Sequence, residues 1–284
     1  MENYQLLIDL HLRNARQGPG GEAETLRALE LCRLGRLDRH RPLKIADLGC
    51  GTGASTLLLG QHFVNAQITA VDFLPAFLEA LKTRAAQGGL GEQIATVVGA
   101  LEALPFGDEE LDLIWSEGAI YNIGFEQGLK DWRRYLKPGG LLAVSEITWI
   151  TDSRPAAIQT HWENEYPEIN LASAKITALE KQGYSPIGYF VLPENCWLEN
   201  YYRPLQAGFN AFLERNGGGE EARRIVEAEQ AEIELYEKYK EYYSYGFYIA
   251  RKAASSGRIG QKKSNRPYPQ ESLRSSERPP WGSG

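Results

Sequence analysis

Apolar residues along the chain fall into short alternating runs, separated by stretches with helical spacing. The clearest run is 43–48, where Leu43, Ile45 and then Ala46-Asp47-Leu48 suit a short buried strand. Gly49, Gly51 and Gly53, at every second position, let the backbone turn tightly after it, and a helix starting near Ala54 carries Leu57, Leu58 and Leu59. Strand, glycine turn and helix make the first unit of a nucleotide-type α/β fold, and the missing Cβ atoms at Gly51 and Gly53 let a ligand approach the main chain. Residues 67–72 read as a second strand. Leu74, Phe77, Leu78 and Leu81 then mark an amphipathic helix over 73–87 that Gly88-Gly89 ends, and 94–98 and 111–115 read as the third and fourth strands. A helix over about 125–136 leads through Lys137-Pro138-Gly139-Gly140 into a fifth strand at 141–147.

The flanks have a different texture. Residues 4–14 and 22–34 read as helices, the second with Leu26, Leu29 and Leu31 on or near one face. Between them the glycines and proline of Arg16-Gln17-Gly18-Pro19-Gly20-Gly21 force a break. Beyond Ile147, residues 149–169 are rich in aromatics and acids, 172–182 read as a helix and 188–192 as a sixth strand. A long connection over 193–242 carries Trp197, Tyr201, Tyr202, Phe209 and Phe212, a triple glycine, and a charged helix from about Glu220. Residues 243–251 have the aromatic, β-prone composition of a final strand. The insertions at about 148–182 and 193–242 are expected to cap the carboxyl edge of the sheet; the alternative is that they only enlarge the core.

The glycine turn also indicates its ligand. A dinucleotide fingerprint needs G-x-G-x-x-G, whereas here the spacing is Gly49-x-Gly51-x-Gly53, and Asp47 just before it would repel a pyrophosphate. A ligand without phosphates that carries an ammonium and a sulfonium fits, which describes S-adenosyl-L-methionine. On these residues the chain resembles the class I S-adenosylmethionine-dependent methyltransferases, whose first motif is an acidic residue followed by G-x-G-x-G. Asp72 at the end of the second strand, Leu104-Pro105-Phe106 and the Lys-Pro-Gly-Gly run extend the resemblance over 43–147, and bacterial small-molecule methyltransferases look similar on either side.

The resemblance implies an α/β, Rossmann-like, seven-stranded and mostly parallel sheet with helices on both faces and a helical cap, its seventh strand antiparallel between the fifth and sixth. It implies a cofactor set of Asp47, Gly49, Cys50, Gly51, Gly53, Asp72, Phe73, Ala100, Leu101 and Glu117, with Asp72 on the ribose hydroxyls. Gln17 and Gly18 would come from an N-terminal segment, 1–42, that covers the cofactor. Where the family usually has an acidic residue to accept from the adenine amino group stands Ala100, which leaves that contact to backbone at Leu101 or to Glu102.

Chemistry is expected in the loop after the fourth strand, because ligands bind at the carboxyl edge of a parallel sheet. Glu117, Tyr121 and Asn122 offer a carboxylate, a phenol and an amide there. Two readings stand for them: orienting or deprotonating the methyl acceptor, or structural hydrogen bonding and wall packing. No metal is required. The acceptor is read as a small molecule, with a slight preference for an amine because the cap is acidic and aromatic. The competing readings are an RNA methyltransferase that uses the basic tail and a non-catalytic cofactor-binding sensor.

Composition narrows the partners. The net charge of −6 over 284 residues hides an asymmetry: residues 251–284 hold eight Lys/Arg and two Glu, so that end carries +6 and the rest about −12. An acidic body argues against a nucleic-acid partner, and residues 253–284, poor in apolar side chains, read as a disordered, inert basic tail. Cys32, Cys50 and Cys196 are odd in number and irregularly spaced, which points to a reducing cytoplasm rather than a disulfide framework. The N-terminus lacks a basic n-region, and no stretch approaches a membrane span.

Overall fold

The computed structural model describes residues 2–35 and 37–253. The expected basic tail, 253–284, lies outside the described residues apart from Ala253. Strands β1 (Lys44–Leu48), β2 (Gln67–Asp72), β3 (Ile94–Val98), β4 (Leu111–Glu117), β5 (Leu136–Trp149), β6 (Asn170–Leu171), β7 (Tyr184–Val191) and β8 (Tyr243–Lys252) form one sheet. Its order is β3-β2-β1-β4-β5-β8-β7, with β6 paired to the end of β5. β8 runs antiparallel to both β5 and β7, while the pairs from β3 across to β5 are parallel. The seven expected strands are therefore joined by a two-residue eighth, and the antiparallel strand sits where the resemblance implied.

Both faces of the sheet are covered, so the central strands are apolar on consecutive residues. Alternate side chains enter different layers. Ile45, Leu113, Ala143 and Ile249 join Leu29 of α2 (Glu22–Leu34), Leu59 of α3 (Ala54–His62) and Leu78 and Leu81 of α4 (Pro75–Gln87). Ala46, Leu48, Ile114, Leu142 and Ala250 join Phe125, Leu129 and Trp132 of α5 (Phe125–Trp132) on the opposite face. Strand order runs outward in both directions from β1, so a crevice opens above the carboxyl ends of β1 and β4.

The structure redraws several boundaries. Helix α5 stops at Trp132 and tightens into a 3-10 turn over Arg133–Tyr135. The Lys-Pro-Gly-Gly run lies inside β5 as a bulge, since pairing to β4 shifts between Leu111↔Leu136 and Leu113↔Leu141. The stretch after β5 contains α6 (Ala156–Glu165), which its sequence did not announce. Helix α7 (Ala172–Lys181) does not join the cap: Ala178 and Leu179 pack into the α5 layer.

The long connection folds as α8 (Glu194–Trp197), a π-helical turn at Leu198–Tyr202, α9 (Arg203–Arg215) and α10 (Glu220–Tyr239). Helix α1 (Glu2–His11) is tied to them by His11 to Glu229 at 3.0 Å and Arg215 to Asp9 at 3.0 Å. Among the described residues no helix is long and apolar enough to cross a membrane, and the three cysteines are free and buried.

Candidate active site

A cavity of about 530 Å³ opens in the crevice over β1 and β4. The β1–α3 turn supplies Gly49, Cys50, Gly51 and Ser55 to its wall, the end of β2 supplies Asp72, Phe73 and Leu74, and the stretch after β3 supplies Gly99, Ala100, Leu101 and Glu102. Asp72 binds the turn from across the crevice: its carboxylate accepts from the Gly51 N–H at 2.8 Å and the Leu74 N–H at 2.9 Å. Each oxygen takes one donor and keeps lone-pair capacity for a ligand. Burial pushes this acid up, opposed by those backbone donors. Burial, with Asp47 and Asp72 nearby, also pushes the Cys50 thiol well up, so it stays protonated.

Two residues of the expected cofactor set are off this wall. Asp47 is fully buried beneath the turn, where its Oδ2 accepts from Ser55 Oγ at 2.9 Å and Thr56 Oγ1 at 2.6 Å. It latches β1 to the start of α3 instead of lining the cavity, and its Oδ1 has no partner among the described residues. Gly53 sits at φ 90°, and a Cβ there would come within 2.1 Å of Leu81 Cδ1. Packing against α4, not ligand approach, requires that glycine. At Gly51, φ 55°, the obstacle to a Cβ is Gln17 Oε1 at 2.5 Å, because the N-terminal segment lies on the turn.

That segment is held at several points. Gln17 accepts from the Thr52 N–H at 2.8 Å, Gly20 N–H donates to Cys196 O at 3.2 Å, and Asn200 donates to Gly20 O at 2.9 Å. Arg16 donates to Glu117 Oε2 at 2.7 Å, while Glu117 Oε1 accepts from Thr25 at 2.7 Å and Trp115 Nε1 at 3.1 Å. Glu117 thus ends β4 as an anchor with three donors. Asn122 donates its amide to Ala119 O at 2.9 Å and lines only the first cavity, as does Glu117.

Tyr121 differs from its two neighbours because it lines both this cavity and a second of about 900 Å³ against α6, the π-helical turn and α10, together with Gln17, Gly18, Pro19 and Gly118. Burial, reinforced by Glu232 and Glu146, pushes the Tyr121 hydroxyl up, so it acts as a neutral hydrogen-bonding group. The second cavity is roofed by Trp162, Trp197, Tyr201, Tyr202 and Glu232 and floored by Ile147, Tyr243 and Tyr245 at the carboxyl edge.

Sequence reading had brought together Gln17, Gly18, Gly49, Cys50, Gly51, Asp72, Phe73, Ala100, Leu101, Glu117, Tyr121 and Asn122, and all of these line the first cavity. It missed Arg16, whose partner is far along the chain, and Tyr4, whose ring meets Phe73 edge-on at 6.5 Å by the mouth. It also missed Glu232. A signal existed for that one: Ala228, Ala231 and Leu235 form a helical stripe in which Glu232 is the lone acid, and all four line the second cavity.

Residues 46–144 match a family model described as a methyltransferase domain. Malonyl-acyl-carrier-protein O-methyltransferase 1 of Coxiella burnetii is 36% identical over 117 residues, covering 40% of this chain and 38% of that one. Demethylmenaquinone methyltransferase of Corynebacterium glutamicum is 36% identical over 114 residues, covering 40% and 45%. The chain thus spans less than half the length of either curated relative. A solved methyltransferase from Geobacter sulfurreducens, in complex with S-adenosyl-L-homocysteine, superimposes with a TM-score of 0.72 at 18% identity over 88% of this chain and 97% of that one.

Proposed function

We propose that this chain, whose residues 46–144 belong to the methyltransferase domain family, transfers a methyl group from S-adenosylmethionine to a small molecule held under the cap. The observation that carries the reading is the meeting of two cavities at Gly118 and Tyr121, one at the carboxyl edge of the parallel strands and one beneath the cap. The first cavity falls within the roughly 300–1,000 Å³ of small-molecule sites. Its residues fit the cofactor. Asp72 has acceptor capacity for ribose hydroxyls, Phe73 offers a broad apolar surface, and Arg16, the cation on the wall, is already paired with Glu117, so nothing there calls for a phosphate.

When bound, the cofactor supplies an electrophilic methyl on its sulfonium sulfur. Asp72, Phe73 and the stretch from Gly99 to Glu102 would hold its nucleoside end, and the glycine turn with Gln17 and Gly18 would cover the rest. The N-terminal segment, bolted down by Arg16 and Glu117, excludes water and orders the approach, which is the main protein contribution to an in-line displacement. Small Gly118 leaves room for contact between the two cavities, and the Tyr121 hydroxyl is placed to orient the acceptor. Cytoplasmic location remains the expectation, supported by three free, buried thiols.

The test is direct. The purified protein is expected to bind S-adenosylhomocysteine by calorimetry and to transfer label from methyl-labelled S-adenosylmethionine into a small product, identified by mass in a metabolite extract. Absence of cofactor binding would remove the reading, and binding with no transfer to any extract component would restrict it to a sensor.

A further inference from the structure

The second cavity has a chemical character of its own. Its aromatic walls are contiguous: Trp162 meets Tyr243 at 5.2 Å between ring centroids, Tyr243 meets Trp197 at 6.0 Å, and Trp197 meets Tyr245 at 5.0 Å. The charged side chains lining it are Glu165 and Glu232, with His161 as the one imidazole, and among the described lining residues there is no Lys or Arg. Glu232 lines the cavity, is exposed, and accepts one hydrogen bond, from the Tyr202 hydroxyl at 2.9 Å. Two basic groups outside the lining are already paired: Lys175 with Glu146 at 2.7 Å and His11 with Glu229 at 3.0 Å.

An acceptor bearing a carboxylate or phosphate would lose its hydration and meet two acids with no compensating cation, which is strongly unfavourable. A positive centre meets the reverse situation. Aromatic faces attract it through their quadrupoles, and a carboxylate completes the enclosure.

We infer that the second cavity recognises an organic cation, an ammonium on an apolar or aromatic body, seated against the accessible rings of Tyr121, Trp162 and Tyr245 with Glu232 as its counter-charge. Identifying that cation as the methyl acceptor rests on the proposed methyltransferase activity; recognition of the cation does not. Tyr121 and Tyr245 retain their protons because burial and the acids around them push both hydroxyls up, so they leave the negative charge in the cavity to the carboxylates.

Three soluble probes of one body size test this on protein saturated with S-adenosylhomocysteine: phenethylamine, which is cationic at neutral pH, phenethyl alcohol and 3-phenylpropionate. Calorimetry should show the amine binding about tenfold tighter than the alcohol, and the carboxylate binding most weakly. Glu232→Gln keeps the shape of the side chain and should erase the amine's advantage while leaving affinity for the alcohol and for S-adenosylhomocysteine unchanged. Equal binding of amine and alcohol, tightest binding of the carboxylate, or an amine preference that survives Glu232→Gln would overturn the inference. If the variant fails to fold, the order of the three probes on the unaltered protein decides alone. Failure of S-adenosylhomocysteine to bind at all is a separate result, and it counts against the methyltransferase reading instead.

Discussion

Asp47 and Asp72 end neighbouring strands, yet their surroundings assign them different work. Asp72 faces the first cavity with two backbone donors and spare lone pairs. Asp72→Ala should therefore weaken S-adenosylmethionine binding by about 1.5–3 kcal/mol, roughly tenfold to over a hundredfold in Kd, by calorimetry. Unchanged affinity in the folded variant would remove Asp72 from the site. Asp47 is wholly buried, and burial pushes it up from 3.8 to about 7, against the two hydroxyl donors and with Glu117 and Asp72 adding to the rise. A raised folded value means that the neutral acid is preferred in the native state. Its contribution to stability is complete below the ordinary pKa and is lost as pH rises through about 7. Between about pH 4 and 7, urea denaturation should show Asp47→Asn losing less stability than the unaltered protein. Parallel pH profiles would refute this.

At the scale of elements, two connections have consequences that local sequence does not display. The first bolts the segment between α1 and α2 to the end of β4 through Arg16 and Glu117, both nearly buried. Arg16→Ala leaves Glu117 its Thr25 and Trp115 donors, so the sheet should survive. The loss of one charge-assisted bond, about 1.5–3 kcal/mol, should appear as faster amide hydrogen exchange over residues 12–21 and weaker cofactor binding. Unchanged exchange there would show that the clamp is redundant. The second joins α7 to β5, where Lys175 pairs with Glu146 inside the molecule and stands over the Phe125 ring at 4.5 Å. Burial pushes Glu146 up and Lys175 opposes it. Lys175→Met would strand that acid and should destabilise by about 3–5 kcal/mol in urea, whereas replacing both residues by Met should restore most of the loss. A double variant no more stable than the single one would contradict this account.

Across the whole molecule, the proposed function depends on where the two cavities meet. Tyr121→Phe keeps the shared wall and deletes the hydroxyl. If that group orients the acceptor, kcat should fall about tenfold or more while the Kd for S-adenosylmethionine holds, because the interaction counts most in the transition state. A variant altered only in KM would make Tyr121 a wall. The contrast between Tyr121 and Glu117 also shows how much could be read in advance. Both sit in one loop with suitable chemistry, but Glu117 is consumed by Arg16, which is 101 residues away, and nothing near either residue announces that pairing. Likewise Asp47 and Gly53 belong to the cofactor motif, yet one faces Ser55 and Thr56 and the other faces Leu81. The sequence by itself determined seven of the eight strands, the glycine turn and the carboxyl edge proposed for the cofactor, because alternation, backbone freedom and the spacing of Asp72 from that turn are properties of short stretches. Only the tertiary structure decided which carboxylates are free, and only it built the second cavity. Its walls come from the α1–α2 segment, the loop after β4, β5, α6, α8, the π-helical turn, α10 and β8, and its charge is the sum over side chains that meet by packing alone.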